Sequence, residues 1–218
     1  MGAVTLMEHM TPVEILDEMG KLFPNARCEL AHEDNYQMAV AVVLSAQTTD
    51  ASVNRVTPAL FAKYPDVYAL ANGSLDEIAD CIKSLGLYRN KARSIQGMAK
   101  GIVDRFDGKV PDHMKDLTSL PGVGRKCANV ILSECFNVPA LAVDTHVNRI
   151  AKRLGLAKAD DSLMDVERKL KRKIPRDRWI QAHHQMIFFG RYLCHAQHPA
   201  CRQCPFTGIC LYLRKKAK

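Results

Sequence analysis

Two stretches of the sequence hold residue types that can do chemistry. In CHAQHPACRQCPFTGIC, residues 194–210, the cysteines Cys194, Cys201, Cys204 and Cys210 are spaced C-x6-C-x2-C-x5-C. Four thiolates converging within so short a loop are a metal-site signature. A structural zinc site ordinarily draws on two close pairs of ligands, and here only Cys201 and Cys204 form one. An iron–sulfur cluster takes four thiolates at more varied spacing, so the spacing favours iron–sulfur over zinc by a small margin. Two disulfides are the remaining alternative, and a cytosolic compartment disfavours them. Complete cysteine ligation leaves no open coordination position. That argues for an element that stiffens a basic loop, not for redox catalysis.

The second stretch is LPGVGRKCANV, residues 120–130, where a proline and two glycines run straight into a helical sequence. Gly122 and Gly124 would let backbone N–H groups approach a phosphate with no side chain in the way. The helix N-terminus behind them adds partial positive charge. Arg125 and Lys126 then put two cations where the helix dipole disfavours them, which makes sense if an anion comes to that end. Arg125 reads as a charge facing the nucleic-acid backbone. Lys126, behind such a turn, could serve as a nucleophile. In VPALAVDTHVNRI an apolar run stops at Asp144, where a helix begins. A carboxylate there is either a plain N-cap or the partner of the amine. Together, an amine and a carboxylate at a phosphate-binding edge suit removal of a base from a sugar.

The elements that must position these residues are helices. Thr11-Pro12-Val13-Glu14 has the cap, the N1 proline and the N3 glutamate of a helix start, and this helix ends before Pro24. Residues 35–46 read as a buried helix, and 51–62 repeats apolar residues at helical spacing. Ser74 and Glu77 form a second capping box, for a helix closing at Gly86. Further helices are expected over about 90–106, 114–119, from the glycine turn to 135, from Asp144 or Thr145 through Leu154, over 163–173 and over 177–192. Good strand signals are hard to find, so the fold class is all-α. Residues 1–140 hold 14 Lys/Arg against 17 Asp/Glu, whereas residues 141–218 hold 17 against 6. The last third is therefore strongly basic, which suits a polyanionic partner such as nucleic acid. The most apolar run, residues 38–46, is far shorter than the ~20 residues of a membrane span. No secretion signal is visible, and a cytoplasmic location is expected.

Taken together, these residues resemble the endonuclease III family of DNA repair glycosylases. The matching segments are VLSAQTTDASVNRVTPALFAKYP, LGLYRNKARSI, LPGVGRKCANVIL, AVDTHVNRIAKRLGL and the cysteine loop, in the family's order and over nearly the full length. The resemblance implies a two-lobed helix-hairpin-helix DNA glycosylase fold with a C-terminal 4Fe–4S cluster loop. One lobe, about 27–139, would hold six helices with the hairpin at about 114–136. The other would join residues 1–26 to 140–218 and carry the cluster on Cys194, Cys201, Cys204 and Cys210. It further implies a bifunctional DNA glycosylase/AP lyase that removes oxidised or ring-saturated pyrimidines from duplex DNA, with Lys126 and Asp144 as catalytic residues. The family flips the damaged nucleotide out of the duplex and fills the gap with a Gln and a Leu, matching Gln47 and Leu87. Leu120, Gly122, Gly124 and Arg125 at the hairpin, with Thr145 and His146 beside the aspartate, complete the expected DNA-binding set. The expected partner is damaged double-stranded DNA, with no membrane, and the expected state is a monomer. Two departures stand out: Thr48 follows the glutamine where Ala is common, and Cys127 follows the lysine where Thr is common.

Overall fold

The computed structural model describes residues 9–216, and among them there are twelve α-helices and no strand. The chain divides into two compact units, one of residues 28–138 and one that joins the N-terminal segment through Arg27 to residues 139 onward.

The unit of residues 28–138 is built around α2 (Asn35–Leu44), whose residues from Met38 to Leu44 are all buried. A helix apolar on every face belongs at the centre of a bundle. Around it stand α3 (Asp50–Lys63), α4 (Val67–Asn72), α5 (Leu75–Cys81), α6 (Tyr88–Phe106), α7 (Met114–Thr118) and α8 (Arg125–Phe136). The unit thus holds seven helices where six were expected. Helix α4 is too short to show a period and was not foreseen; Asp66 caps it by accepting Ala69 N–H at 2.8 Å. The proposed Ser74–Glu77 box does not form: Ser74 makes no side-chain cap bond. Glu77 turns away to Lys63 at 3.2 Å and to the Tyr64 hydroxyl at 3.4 Å. Helix α5 also stops at Cys81, short of Gly86, and two tight turns carry the chain on, with Leu85 N–H bonded to Ile82 O.

The second unit brings α1 (Pro12–Leu22) onto α11 (Trp179–Tyr192), with α9 (Thr145–Arg153) and α10 (Leu163–Lys173) packed alongside. The Thr11/Glu14 capping box forms as the sequence indicates. Ile15, Leu16 and Met19 from α1 enter one core with Val147, Ile150, Val166, Leu170, Met186 and Phe189. Asp17 receives a hydrogen bond from Arg178 at 2.8 Å across this contact. Helix α12 (Leu211–Lys216), also unforeseen, follows the cysteine loop.

Phe189 and Phe206 are fully buried and meet edge-to-face at 5.2 Å, so the cysteine loop shares the core of α11. Truncation here leaves a cavity that the packed helices cannot refill. Phe189→Ala is expected to lower stability by about 3–5 kcal/mol, read from the midpoint of urea denaturation.

Candidate nucleic-acid interface and catalytic residues

The turn between α7 and α8 forms as a helix-hairpin-helix. Leu120 and Val123 are buried and anchor it, with Val123 N–H bonded to Leu120 O at 3.2 Å. Gly122 has φ +77, the left-handed region in which a side chain is strained. A Cβ there would also lie 2.7 Å from Ser94 Cβ and 3.1 Å from Val43 Cγ1. Gly124 caps α8 in extended conformation, and a Cβ built on it meets nothing within 4 Å. The two glycines thus have different reasons. Gly122 lets the turn press against α6 and α2, whereas Gly124 leaves open space before the first N–H groups of α8.

Arg125 and Lys126 occupy the first turn of α8 and are exposed. The Lys126 side chain is exposed and has no hydrogen bond or ion pair among the described residues, so its ammonium stays available to an incoming group. Cys127 behind it is buried, and burial pushes its thiol pKa up, against the opposing pull of Lys126. It packs as a core residue of the hairpin helix.

Gln47 and Leu87 belong to the same unit, on two other turns. Both have positive φ, +53 and +58, which is uncommon for residues with side chains. Leu87 is 61% exposed although apolar, and Gln47 is exposed where α2 has already ended at Leu44.

In the other unit Asp144 is the N-cap of α9: its Oδ1 accepts Val147 N–H at 2.8 Å. The capping role is therefore real, and it holds the carboxylate in one orientation with Oδ2 free of hydrogen bonds among the described residues. Thr145 beside it is exposed, and His146 is half-buried. Burial lowers the pKa of His146, Asp144 acts in the opposite sense, and Arg149 and Arg191 add to the lowering. Its Nδ1 lies 3.2 Å from Arg149 Nη2, a contact that suits a neutral ring accepting from the guanidinium.

Two arginines missed in the sequence tie the cysteine loop to α9. Arg149 donates to Gly190 O at 2.8 Å and to Cys194 O at 3.2 Å. Arg153 donates to His195 O at 2.8 Å, to Ala196 O at 3.0 Å and to Cys194 Sγ at 3.2 Å, and it stacks over Tyr212. Their i, i+4 spacing was the available signal, since it places both on one face of the helix. All four loop cysteines are free thiols, and Cys194, Cys204 and Cys210 are buried. Burial pushes Cys204 up to about 11, and the charges of Cys194, Cys210 and Cys201 add to the rise. Cys204 therefore lies within electrostatic reach of the other three sulfurs. Among the described residues, no group of three or more His, Cys, Asp or Glu is closed into a metal-holding arrangement.

The chain matches the model for HhH-GPD superfamily base excision DNA repair proteins over residues 40–176. Endonuclease III of Bacillus subtilis (strain 168) is 51% identical over 205 residues, which are 93% of each chain. The chain belongs to the endonuclease III family. Endonuclease III of Synechocystis is 48% identical over 198 residues, 90% of each chain. A solved structure of a trapped endonuclease III–DNA covalent intermediate has a TM-score of 0.91 and 49% identity, covering 96% of this chain and all of that one. A thermostable thymine-DNA glycosylase, at 21% identity and a TM-score of 0.83, shares the fold.

The two glycines separate stability from binding. Gly122→Ala is expected to cost about 2 kcal/mol, from a forced left-handed residue and an overpacked contact. Gly124→Ala should leave the urea midpoint unchanged and weaken duplex DNA binding in a filter or anisotropy titration, because its methyl occupies the open space.

Proposed function

We propose that Lys126 is the nucleophile and Asp144 the electrostatic partner through which this chain acts as a bifunctional DNA glycosylase and AP lyase on duplex DNA. The observation that carries this reading is an exposed, unpaired lysine in the first turn of a helix whose glycine cap is open to solvent. Membership of the endonuclease III family supports it, as does a family member trapped in a covalent intermediate with DNA.

The neutral Nζ of Lys126 attacks C1′ of the flipped nucleotide, and the bond from C1′ to the base breaks as the base leaves with a proton. Positive character develops at the sugar in that step, and the Asp144 carboxylate stabilises it. Cleavage of the C1′–O4′ bond, with O4′ taking up a proton, leaves an iminium between Nζ and C1′, which makes the C2′ proton acidic. Removal of that proton expels the 3′ phosphate by β-elimination, and water then releases the lysine. The hairpin N–H groups hold a backbone phosphate without reading sequence, while Arg125, Thr145 and His146 add contacts and Gln47 and Leu87 fill the vacated space. The substrates in this reading are oxidised or ring-saturated pyrimidines and abasic sites.

The all-sulfur donor set of Cys194, Cys201, Cys204 and Cys210 fits a 4Fe–4S cluster, whose iron would replace the thiol protons. Bound there, it would cross-link and stiffen a loop already fastened by Arg149 and Arg153. The cluster lobe is then residues 1–26 with 140–218, and the hairpin lobe is residues 27–139. Among the described residues no helix is long and apolar enough to cross a membrane, and the reading includes a cytoplasmic, monomeric enzyme.

Borohydride added to the protein with duplex DNA containing thymine glycol or an abasic site should trap a covalent adduct, and Lys126→Gln should abolish it. Failure to trap any adduct on a damaged substrate would overturn the lyase assignment. Asp144→Asn retains the cap, since Asn caps as well as Asp. It should therefore keep wild-type stability while the single-turnover glycosylase rate falls about 10²–10³-fold. Absorption spectra of freshly purified protein separate the metals: an iron–sulfur cluster is brown with a broad band towards the blue, whereas zinc is colourless.

A further inference from the structure

Lys91 is a charge where a charge is costly. It is only 6% exposed, burial lowers its pKa, and no carboxylate pairs with it among the described residues. Buried charges are normally paired, so this one needs a reason. It sits on α6 one turn after Leu87, and its own N–H bonds to Leu87 O at 3.0 Å. Its ammonium donates to Thr48 Oγ1, in the turn between α2 and α3. Thr48 Oγ1 in turn donates to Ala46 O at 3.3 Å, and Thr48 N–H bonds to Ser45 O at 3.1 Å.

An ammonium can only donate, so the hydroxyl must accept from it and send its own proton to Ala46 O. The resulting chain has a single direction and brackets Gln47 between Ala46 and Thr48. Both Gln47 and Leu87 hold left-handed backbone conformations. Such conformations persist only where the surroundings over-determine them. One side chain, rooted beside Leu87 and bonded beside Gln47, supplies that determination for both turns.

We infer that Lys91 is a positioning residue for base extrusion, holding the Gln47 turn and the Leu87 turn as one preformed wedge through Thr48. The inference rests on reading Gln47 and Leu87 as the side chains that fill the duplex. Thr48 is essential to it, because a side chain without an oxygen at this position would offer nothing to Lys91. A wedge ordered before binding loses less conformational freedom on entering DNA. The benefit falls on duplex substrates and not on abasic sites already outside a helix.

The test uses a duplex in which 2-aminopurine, fluorescent when unstacked, stands beside a tetrahydrofuran abasic analogue. Lys91→Met and Thr48→Val should lose the fluorescence rise seen on binding and slow glycosylase turnover on duplex DNA about 10- to 100-fold. β-Elimination on single-stranded abasic DNA should be unaltered in both, and Thr48→Ser, which keeps the hydroxyl, should restore the rise. Should Lys91→Met fail to fold, Thr48→Val decides alone, and a wild-type rise and duplex rate in it overturns the inference. The double variant Gln47→Ala, Leu87→Ala separates the two ideas. If it keeps the rise, the wedge reading fails and this inference with it. If it loses the rise while Thr48→Val keeps it, only the role of Lys91 fails.

Discussion

The close approach of the Leu120–Gly124 turn to α6 is the constraint on which presentation of Lys126 depends. A helix-hairpin-helix can offer its N–H groups to a phosphate only if the turn is rigid, and rigidity here comes from packing. Gly122 adopts φ +77 against Ser94 and Val43, and Leu120 is buried behind it. The same contact sends α8 off with Gly124 at its cap and Lys126 in its first turn. The cations at that N-terminus oppose the helix dipole, and a bound phosphate would reverse the sign of that interaction. Gly122 thus serves packing, whereas Gly124 two residues on leaves the helix cap open.

The unit that carries Asp144 solves a different problem. N-capping fixes the Asp144 carboxylate through one oxygen, which satisfies Val147 N–H. Helix α9 is then braced from its far side by Arg149 and Arg153, whose guanidinium groups engage carbonyls of α11 and the cysteine loop. Planar guanidinium groups suit this work because each donates in several directions from one rigid fork. The basic character of the last third of the chain is thus partly internal. Some of its cations hold the loop, and others are paired elsewhere within the unit, Lys169 with Asp161 and Lys171 with Glu167.

Much of the fold was legible because its signals are local. Capping boxes at Thr11, the buried run of α2 and the glycine turn depend on residues a few positions apart, and helices formed where those patterns occur. Misreadings arose where a distant partner outbid the local one. Glu77 has the right spacing to cap with Ser74, yet Lys63 and Tyr64 from a neighbouring helix take its carboxylate. Helix α4 is one and a half turns long, too short for periodicity to register, and exists because Asp66 caps it and Leu70 is buried.

The sequence by itself determined the all-α class, the hairpin, the cysteine spacing and the identity of Lys126 and Asp144 as the candidate amine and carboxylate. Each rests on residue types and short spacings, which survive in one dimension. Only the tertiary structure decided that Gly122 is a packing residue and Gly124 an open one, because both are simply glycine in the sequence. It alone brought Lys91 to Thr48 across 43 residues, and Arg153 to the cysteine loop across a similar span. Burial explains the difference: whether a charge is solvated or must find a partner depends on which helices close over it, and that is a property of the packed chain.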